Sequence, residues 1–342
     1  VSRRRVTLAD LAEAAGVSRT TASLVMTGRG RELRISHDVE QRVLRAADEL
    51  GYRPNAVSVG LRTGTSRTIG FVSDTVATTH LAGDMIKGAL EAARERGVML
   101  FIGESEGDPE LERGLLHAMQ DRQVDGIILA AMFTRTIEVP KDIGPAVLLN
   151  ALPRPASGLP SIVPDEIGAG RAAARVLLDA GHHDGVYMIG AGPTLNDVPP
   201  DSVAAVERLI GIKETGLQIA GGRVCVDWQP EHGLTETRAL LAEHRPRALI
   251  CLNDRVALGA YQALDEAGLS VPGDVSVVSF DDHPIASWIR PKLTTVALPH
   301  YDLGRKAVEV LFAQMAGEVE PGQVFRVPMP VRPRESVAPR AG

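Results

Sequence analysis

Apolar positions recur along this chain at two different periods, one after the other. From residue 7 the period is helical. Leu8, Leu11, Ala12 and Ala15 fall on one face. Thr7 followed three residues later by Asp10 marks a helix start of the capping-box kind. Gly16 predicts a stop, because glycine takes the left-handed conformation without strain. Val17 then plugs the turn and Ser18 caps a second helix, with Ala22, Val25 and Met26 facing inward and Arg19, Thr20, Thr21 and Ser23 outward. A third helix is expected after Ser36, with Val39, Val43, Leu44, Ala47 and Leu50 as its buried stripe and Gly51 as its end. Three such helices close a small core. Tyr52-Arg53-Pro54-Asn55 breaks the pattern, residues 55–62 read as a short helical segment, and Thr63–Ser66 as a polar linker.

Beyond residue 67 short apolar runs alternate with amphipathic ones. Strands are expected at Thr68–Ser73, Val98–Gly103, Gly126–Ala131 and Ala146–Asn150, with helices at Ala82–Glu95 and Pro109–Arg122 between them, and Ile162–Val163 opens the next round. A second round gives helices near 168–180, 203–215, 233–243 and 254–267, and strands near 185–190, 222–226, 248–252 and 275–280. Alternation of this kind implies parallel sheets covered by helices on both faces. Two rounds imply two doubly wound lobes, and ligands bind outside the carboxyl ends of such strands, so facing lobes make a cleft.

Two short helices bent around a glycine can be an ordinary hairpin at a domain end or a helix-turn-helix that presents side chains to base edges. Charge separates the two readings. Residues 1–68 hold 12 Arg against 7 acidic residues, a net +5, while the 342-residue chain is −6, which leaves −11 on the remainder. A basic head on an acidic body is the footprint of a nucleic-acid-binding module joined to something with another task. At 44% hydrophobic and 23% charged, the composition is that of an ordinary globular protein. The Arg-rich start lacks the apolar stretch of a secretory leader, and a reducing cytoplasm is the expected compartment. Cys225 and Cys251 fit core filling better than a disulfide framework or a zinc site.

Motifs for catalysis fall short. Gly190-Ala-Gly192 follows a strand, but Leu195 stands where a dinucleotide loop needs its third glycine. His182-His183 lies at a helix end, where the dipole explains it. The carboxylates Glu104, Glu106, Asp108, Asp281 and Asp282 sit at strand ends, where binding is as natural as acid–base work. No catalytic residue, metal ligand or cofactor is expected, and the chain is read as a non-enzyme.

Several motifs, in order, resemble the lactose- and purine-repressor (LacI/GalR) family over essentially the whole length. Val6-Thr-Leu-Ala-Asp-Leu-Ala-Glu-Ala-Ala-Gly-Val-Ser18 is similar to that family's helix-turn-helix, and Leu50-Gly-Tyr-Arg-Pro-Asn55 to its exit into a hinge. Asn253-Asp-Arg-Val-Ala-Leu-Gly259, Val275-Ser-Val-Val-Ser-Phe-Asp-Asp282 and Pro291-Lys-Leu-Thr-Thr295 are similar to effector-domain signatures. The resemblance implies an α/β protein: a three-helix headpiece at 1–54, a hinge helix and linker at 55–67, and a two-lobed, periplasmic-binding-protein-like effector and dimerisation domain at 68–340. Its first lobe is expected at about 68–150 and 284–315 and its second at about 160–281 and 318–338.

The same resemblance implies a homodimer on a near-palindromic operator in double-stranded DNA. Contacts are expected from Thr7, Ser18, Arg19, Thr20, Thr21, Ser23, Thr27, Arg29, Tyr52, Asn55, Ser58, Leu61 and Arg62, with Leu61 as a minor-groove wedge. Ser58, Val59 and Gly60 depart from the family's hinge pattern, and Gly60 disfavours helix by roughly 1 kcal/mol relative to Ala. A small effector, a sugar or a related metabolite, is expected between the lobes on Ser73, Asp74, Asn150, Arg208, Trp228, Asn253 and Asp281. Arg208 offers a planar fork to a sugar or carboxylate. Trp228 either stacks on the ligand or packs in the core. Leu298 and His300 replace more typical polar and aromatic pocket residues. The resemblance thus reads as a sequence-specific repressor of carbohydrate genes. A purine-responsive regulator and a plain sugar-binding protein are the alternatives.

Overall fold

The computed structural model describes residues 6–30, 34–53, 60, 64–75, 80–140, 142–155 and 157–340. Two compact units emerge, divided after Arg67. The first is helical: α1 (Leu8–Ala14), α2 (Arg19–Met26) and α3 (His37–Leu50). Its starts and stops follow the local chemistry. The Thr7 amide donates to Asp10 Oδ2 at 2.7 Å and the Asp10 amide returns to Thr7 Oγ1 at 3.3 Å. Gly16 and Gly51 both take positive φ at helix ends. Leu11, Ala12, Ala15, Ala22, Val25, Val43, Ala46 and Ala47 form the core of the unit. One expectation fails here: Leu44 and Leu50 are exposed, because α3 turns Ala46 inward beside Val43 and Ala47.

The second unit carries two six-stranded sheets with the same winding. Sheet one runs β2 (Met99–Glu104), β1 (Thr68–Ser73), β3 (Gly126–Ile137), β4 (Ala146–Pro153), β5 (Ser161–Pro164), β11 (Val324–Val327). Sheet two runs β7 (Ile219–Val224), β6 (Val186–Gly190), β8 (Ala248–Cys251), β9 (Ser276–Asp281), β10 (Thr294–Ala297), β12 (Val331–Arg332). All pairings are parallel except β10 with β12. The helices are α4 (His80–Glu95), α5 (Pro109–Asp121), α6 (Glu166–Asp179), α7 (Val203–Glu214), α8 (Pro230–Glu243), α9 (Asp254–Glu266), α10 (Ile285–Trp288) and α11 (His300–Met315). Strand order reverses between β1 and β3 in one sheet and between β6 and β8 in the other, which locates a crevice at each pair of carboxyl ends.

The lobe boundaries differ from those read in the sequence. β5 and β11 belong to the first sheet and β10 to the second, so the chain changes lobes three times, near 165, 298 and 329. A four-residue apolar run says that it is a strand but not which neighbour it pairs with, and the pairing is non-local. The β7 expectation was also displaced: this strand starts at Ile219, under weak, half-exposed patterning.

Helices on each face are brought together by reciprocal glycines. A methyl group on Gly170 would collide with the Arg208 carbonyl, and one on Gly211 with the Ile167 carbonyl. Gly88 and Gly304 stand in the same relation across α4 and α11, as do Gly233 and Gly259 across α8 and α9. Backbone against backbone is the closest approach two helices can make, and it needs a residue without Cβ on each side. Gly211→Ala is therefore expected to lower stability by about 1–3 kcal/mol. Gly114→Ala on α5, where a methyl meets open space, should raise it by up to about 1 kcal/mol. Urea denaturation of the two variants checks the opposite signs.

Candidate functional site

In the headpiece the first turn of α2 is built to present side chains. Ser18 Oγ accepts from the Thr21 amide at 3.0 Å and lies 2.8 Å from Thr21 Oγ1, so these two hydroxyls hold the cap. Arg19 and Thr20, between them, are exposed. Ser23 follows one turn later, and Thr27 Oγ1 donates to the Ser23 carbonyl at 2.8 Å at the far end. Arg29 is exposed beyond it, and the Thr7 hydroxyl donates to Asp10. Tyr52 packs against the headpiece core. Asn55, Ser58, Leu61 and Arg62 lie outside the described residues.

In the second unit the two crevices are lined differently. At β1 and β3, Asp74 accepts from the Met132 amide at 3.1 Å and pairs with Arg135 at 3.1 Å, with Ser73 buried beside it. Arg135 lies over the Phe133 ring at 5.4 Å. A bulge in β3 after Ala130 produces this arrangement and carries Arg135 to a backbone bridge with Ser202 at the start of α7. First-lobe residues thereby touch the second lobe.

At β6 and β8 stands Arg208, 2% exposed, projecting from α7. Its Nε donates to Glu166 Oε2 at 2.6 Å and its Nη2 to Glu166 Oε1 at 3.2 Å and Asp281 Oδ1 at 3.3 Å. Its Nη1 donates to the Leu252 carbonyl. The Phe280 ring lies 4.4 Å below the guanidinium and Trp228 5.6 Å away. Burial alone would lower the Arg208 pKa, but the Glu166 and Asp281 carboxylates outweigh it and raise it. Burial pushes the Glu166 carboxyl up while Arg208 pulls it back. Glu166 also receives the Thr134 hydroxyl at 3.4 Å, and that hydroxyl donates to Asn150 Oδ1 at 2.7 Å. Asn150 is thus tied to Arg208 through Thr134 and Glu166.

Trp228 bridges the second lobe's two apolar clusters, and its Nε1 donates to the Gly190 carbonyl at 3.2 Å. Asn253 caps α9 through Oδ1 and gives its amide to the Trp228 carbonyl, so both ends are spent on architecture. Asp281 ends β9 at a φ of 102°. It lines a cavity of about 300 Å³ with Asp84, Asp282, Leu298, His300 and Arg332, where α4 and α11 of one lobe meet the strand ends of the other. His300 is buried and neither ring nitrogen has a hydrogen-bond partner. Burial holds its pKa below the ordinary histidine value. Among the described residues no cluster of His, Cys, Asp or Glu is arranged to hold a metal ion.

Sequence reasoning missed Glu166, Thr134 and Arg135. A buried arginine demands a carboxylate, but nothing local says which, since Glu166 follows Asp165, a plain helix cap.

Comparison with known proteins follows this division of the chain. Residues 7–55 match the model of bacterial regulatory proteins of the lacI family, and residues 174–337 match a periplasmic binding protein-like domain. The ribose operon repressor of Escherichia coli K12 is 31% identical over 318 residues, covering 89% of this chain and 92% of its own. The chain belongs to the LacI family. The transcriptional repressor PurR of Vibrio campbellii is 29% identical over 97% of this chain and 98% of its own. Among solved structures, a lac repressor dimer bound to operator and the anti-inducer ONPF superposes with a TM-score of 0.79 at 27% identity, covering 98% of this chain and all of that one. This LacI-family member is accordingly a DNA-binding regulator with a headpiece and a two-lobed α/β body. No described helix is long and apolar enough to cross a membrane.

Asp254 opens α9 and is fully buried. It accepts Thr295 Oγ1 at 2.8 Å, the His283 amide at 2.7 Å and the Ser279 hydroxyl. Burial first, with Asp281 adding, pushes its carboxyl up to about 7, against those hydrogen bonds. The folded protein then keeps a proton that the unfolded chain releases near its ordinary value. This group favours the fold most at low pH and progressively less as pH rises through about 7. The stability difference between wild type and Asp254→Asn should shift against wild type by up to roughly 1.4 kcal/mol per pH unit between pH 5 and 7. Denaturation midpoints at three pH values read it; a difference constant with pH would contradict it.

Proposed function

We propose that this protein is a homodimeric repressor that binds a near-palindromic operator and is released or tightened by a small hydroxylated metabolite, a sugar or sugar derivative, held between the lobes. It works in the cytoplasm and performs no chemistry on the ligand. The observation that carries the reading is the exposed first turn of α2, with Arg19 and Thr20 raised on a Ser18–Thr21 cap and set in a basic headpiece. Helix N-terminal side chains of this kind enter the major groove and meet base edges. The relatives support it: one is named a ribose operon repressor, and one solved neighbour holds operator DNA.

The dimer is supported by apolar surface. Met99, Phe101 and Ile102 are exposed along β2, an edge strand, and Trp288 is 71% exposed on α10. Edges of that kind are normally covered. Control by ligand rests on the lobes' mutual contacts. Arg326 on β11 pairs with Glu207 on α7 at 2.6 and 2.7 Å, and Arg154, just past β4, with Asp201 at 2.9 Å. A ligand that favours one lobe arrangement changes these pairs, and coupling of such sites is typically about 1–3 kcal/mol.

Selection of genomic fragments on the purified protein, followed by gel shift against random competitor at near-physiological salt, tests the function. A preferred fragment is expected, and its affinity should change with a sugar or related metabolite. Absence of any preference would sink the reading. Arg19→Ala or Thr20→Ala should each weaken binding to that fragment by about 1–3 kcal/mol through the missing base-edge hydrogen bonds, with little effect on random DNA. Leu61→Ala should weaken operator binding and reduce DNA bending in a circular-permutation assay while ligand-induced thermal stabilisation is unchanged.

A further inference from the structure

Resting on the cleft reading above, we infer that the ligand carries no phosphate or carboxylate: it is a hydroxylated molecule without negative charge, met by His300 and Asp281, and anions are kept out because Glu166 fills the Arg208 fork. The guanidinium has five N–H donors. Internal acceptors engage all three of its nitrogens: Glu166 takes Nε and shares Nη2 with Asp281, and the Leu252 carbonyl takes Nη1. Its charge is likewise met from inside, by Glu166 at 2.6 Å and Asp281 at 3.3 Å. An anion entering the cleft finds the arginine already neutralised.

The cavity wall repeats the message. Asp84, Asp281, Asp282 and Asp302 face it, against Arg332. Arg332 and Arg334 both pair with Asp282, at 3.5 and 2.5 Å, so neither is a spare cation. Bringing a phosphate beside these carboxylates would bury like charges together. His300 supplies the positive requirement. It is neutral at physiological pH, because burial lowers its pKa, so one ring nitrogen donates and the other accepts. Neither is satisfied within the protein. A hydroxyl donates and accepts, and vicinal hydroxyls can serve His300 and Asp281 together. A carboxylate or a fully ionised phosphate group only accepts, which leaves one nitrogen and the aspartate unmet by that group.

The experiment is thermal unfolding of the full chain with glucose, ribose and cellobiose, with the phosphorylated and oxidised counterparts of the two monosaccharides, and with inorganic phosphate. Wild type should show no upward shift with any anionic member. Glu166→Gln, which removes the neutralising charge but keeps the shape, should gain a shift of several degrees with inorganic phosphate or a sugar phosphate, and Glu166→Gln/Arg208→Met should lose it. Asp281→Asn removes the second carboxylate while leaving the buried pair, and serves as the companion should Glu166→Gln fail to fold. A wild-type shift with an anion that disappears in Arg208→Met overturns the inference, as does a folded Glu166→Gln and Asp281→Asn pair blind to every anion. Either result leaves the regulator reading intact, which fails separately if no genomic fragment is preferred.

Discussion

The Arg208–Glu166 pair is the contact through which the second lobe, the crossover and the first lobe meet. Glu166 is the first residue of α6, immediately past the point where the chain leaves sheet one. Arg208 reaches it only because Gly170 and Gly211 let α6 and α7 approach backbone to backbone. From that pair, contacts run to the ends of β8 and β9 through Leu252 and Asp281, and to β3 and β4 through Thr134 and Asn150. Two charges this deep gain little over a well-packed apolar pair, yet removing one alone costs about 3–5 kcal/mol because the other is stranded. The arrangement fixes geometry more than it adds stability. Two glycines, an acid and a base are therefore a single constraint.

That constraint changes what the arginine does. As a free fork it would be an anion receptor. Filled by a carboxylate, it is a scaffold whose outer edge positions Asp281 at the cavity. Trp228 and Asn253 follow the same logic: one wedges two apolar clusters and the other caps a helix and ties down the Trp228 carbonyl. On the reading proposed above, recognition falls instead toward the crossover near 298, where His300 begins α11 and lines the cavity.

Much of the fold was legible because its signals are local. Thr7 with Asp10, Gly16, Ser18 and Gly51 place the headpiece helices within a residue or two, and the alternating runs give two doubly wound lobes. What was illegible is non-local. The sheet to which β5, β10 and β11 belong depends on pairing across more than a hundred residues for β5 with β11. Leu44 and Leu50 look like a stripe, yet the helix rotates them to solvent to bury two alanines. In the site, residue types were readable and partners were not: Arg208 was singled out, while the glutamate that occupies it looked like one acid among many at a helix start.

The threefold passage of the chain between lobes bears on how the molecule is made. The headpiece is one continuous stretch with short-range contacts, complete once residue 53 or so has left the ribosome. Neither lobe enjoys that autonomy. Sheet one waits for β11 at 324–327, and sheet two for β12 at 331–332 and for Ser336, whose hydroxyl reaches the Val277 carbonyl. Contacts of such sequence separation form late. During each round of synthesis the DNA-reading end therefore exists before the part that governs it.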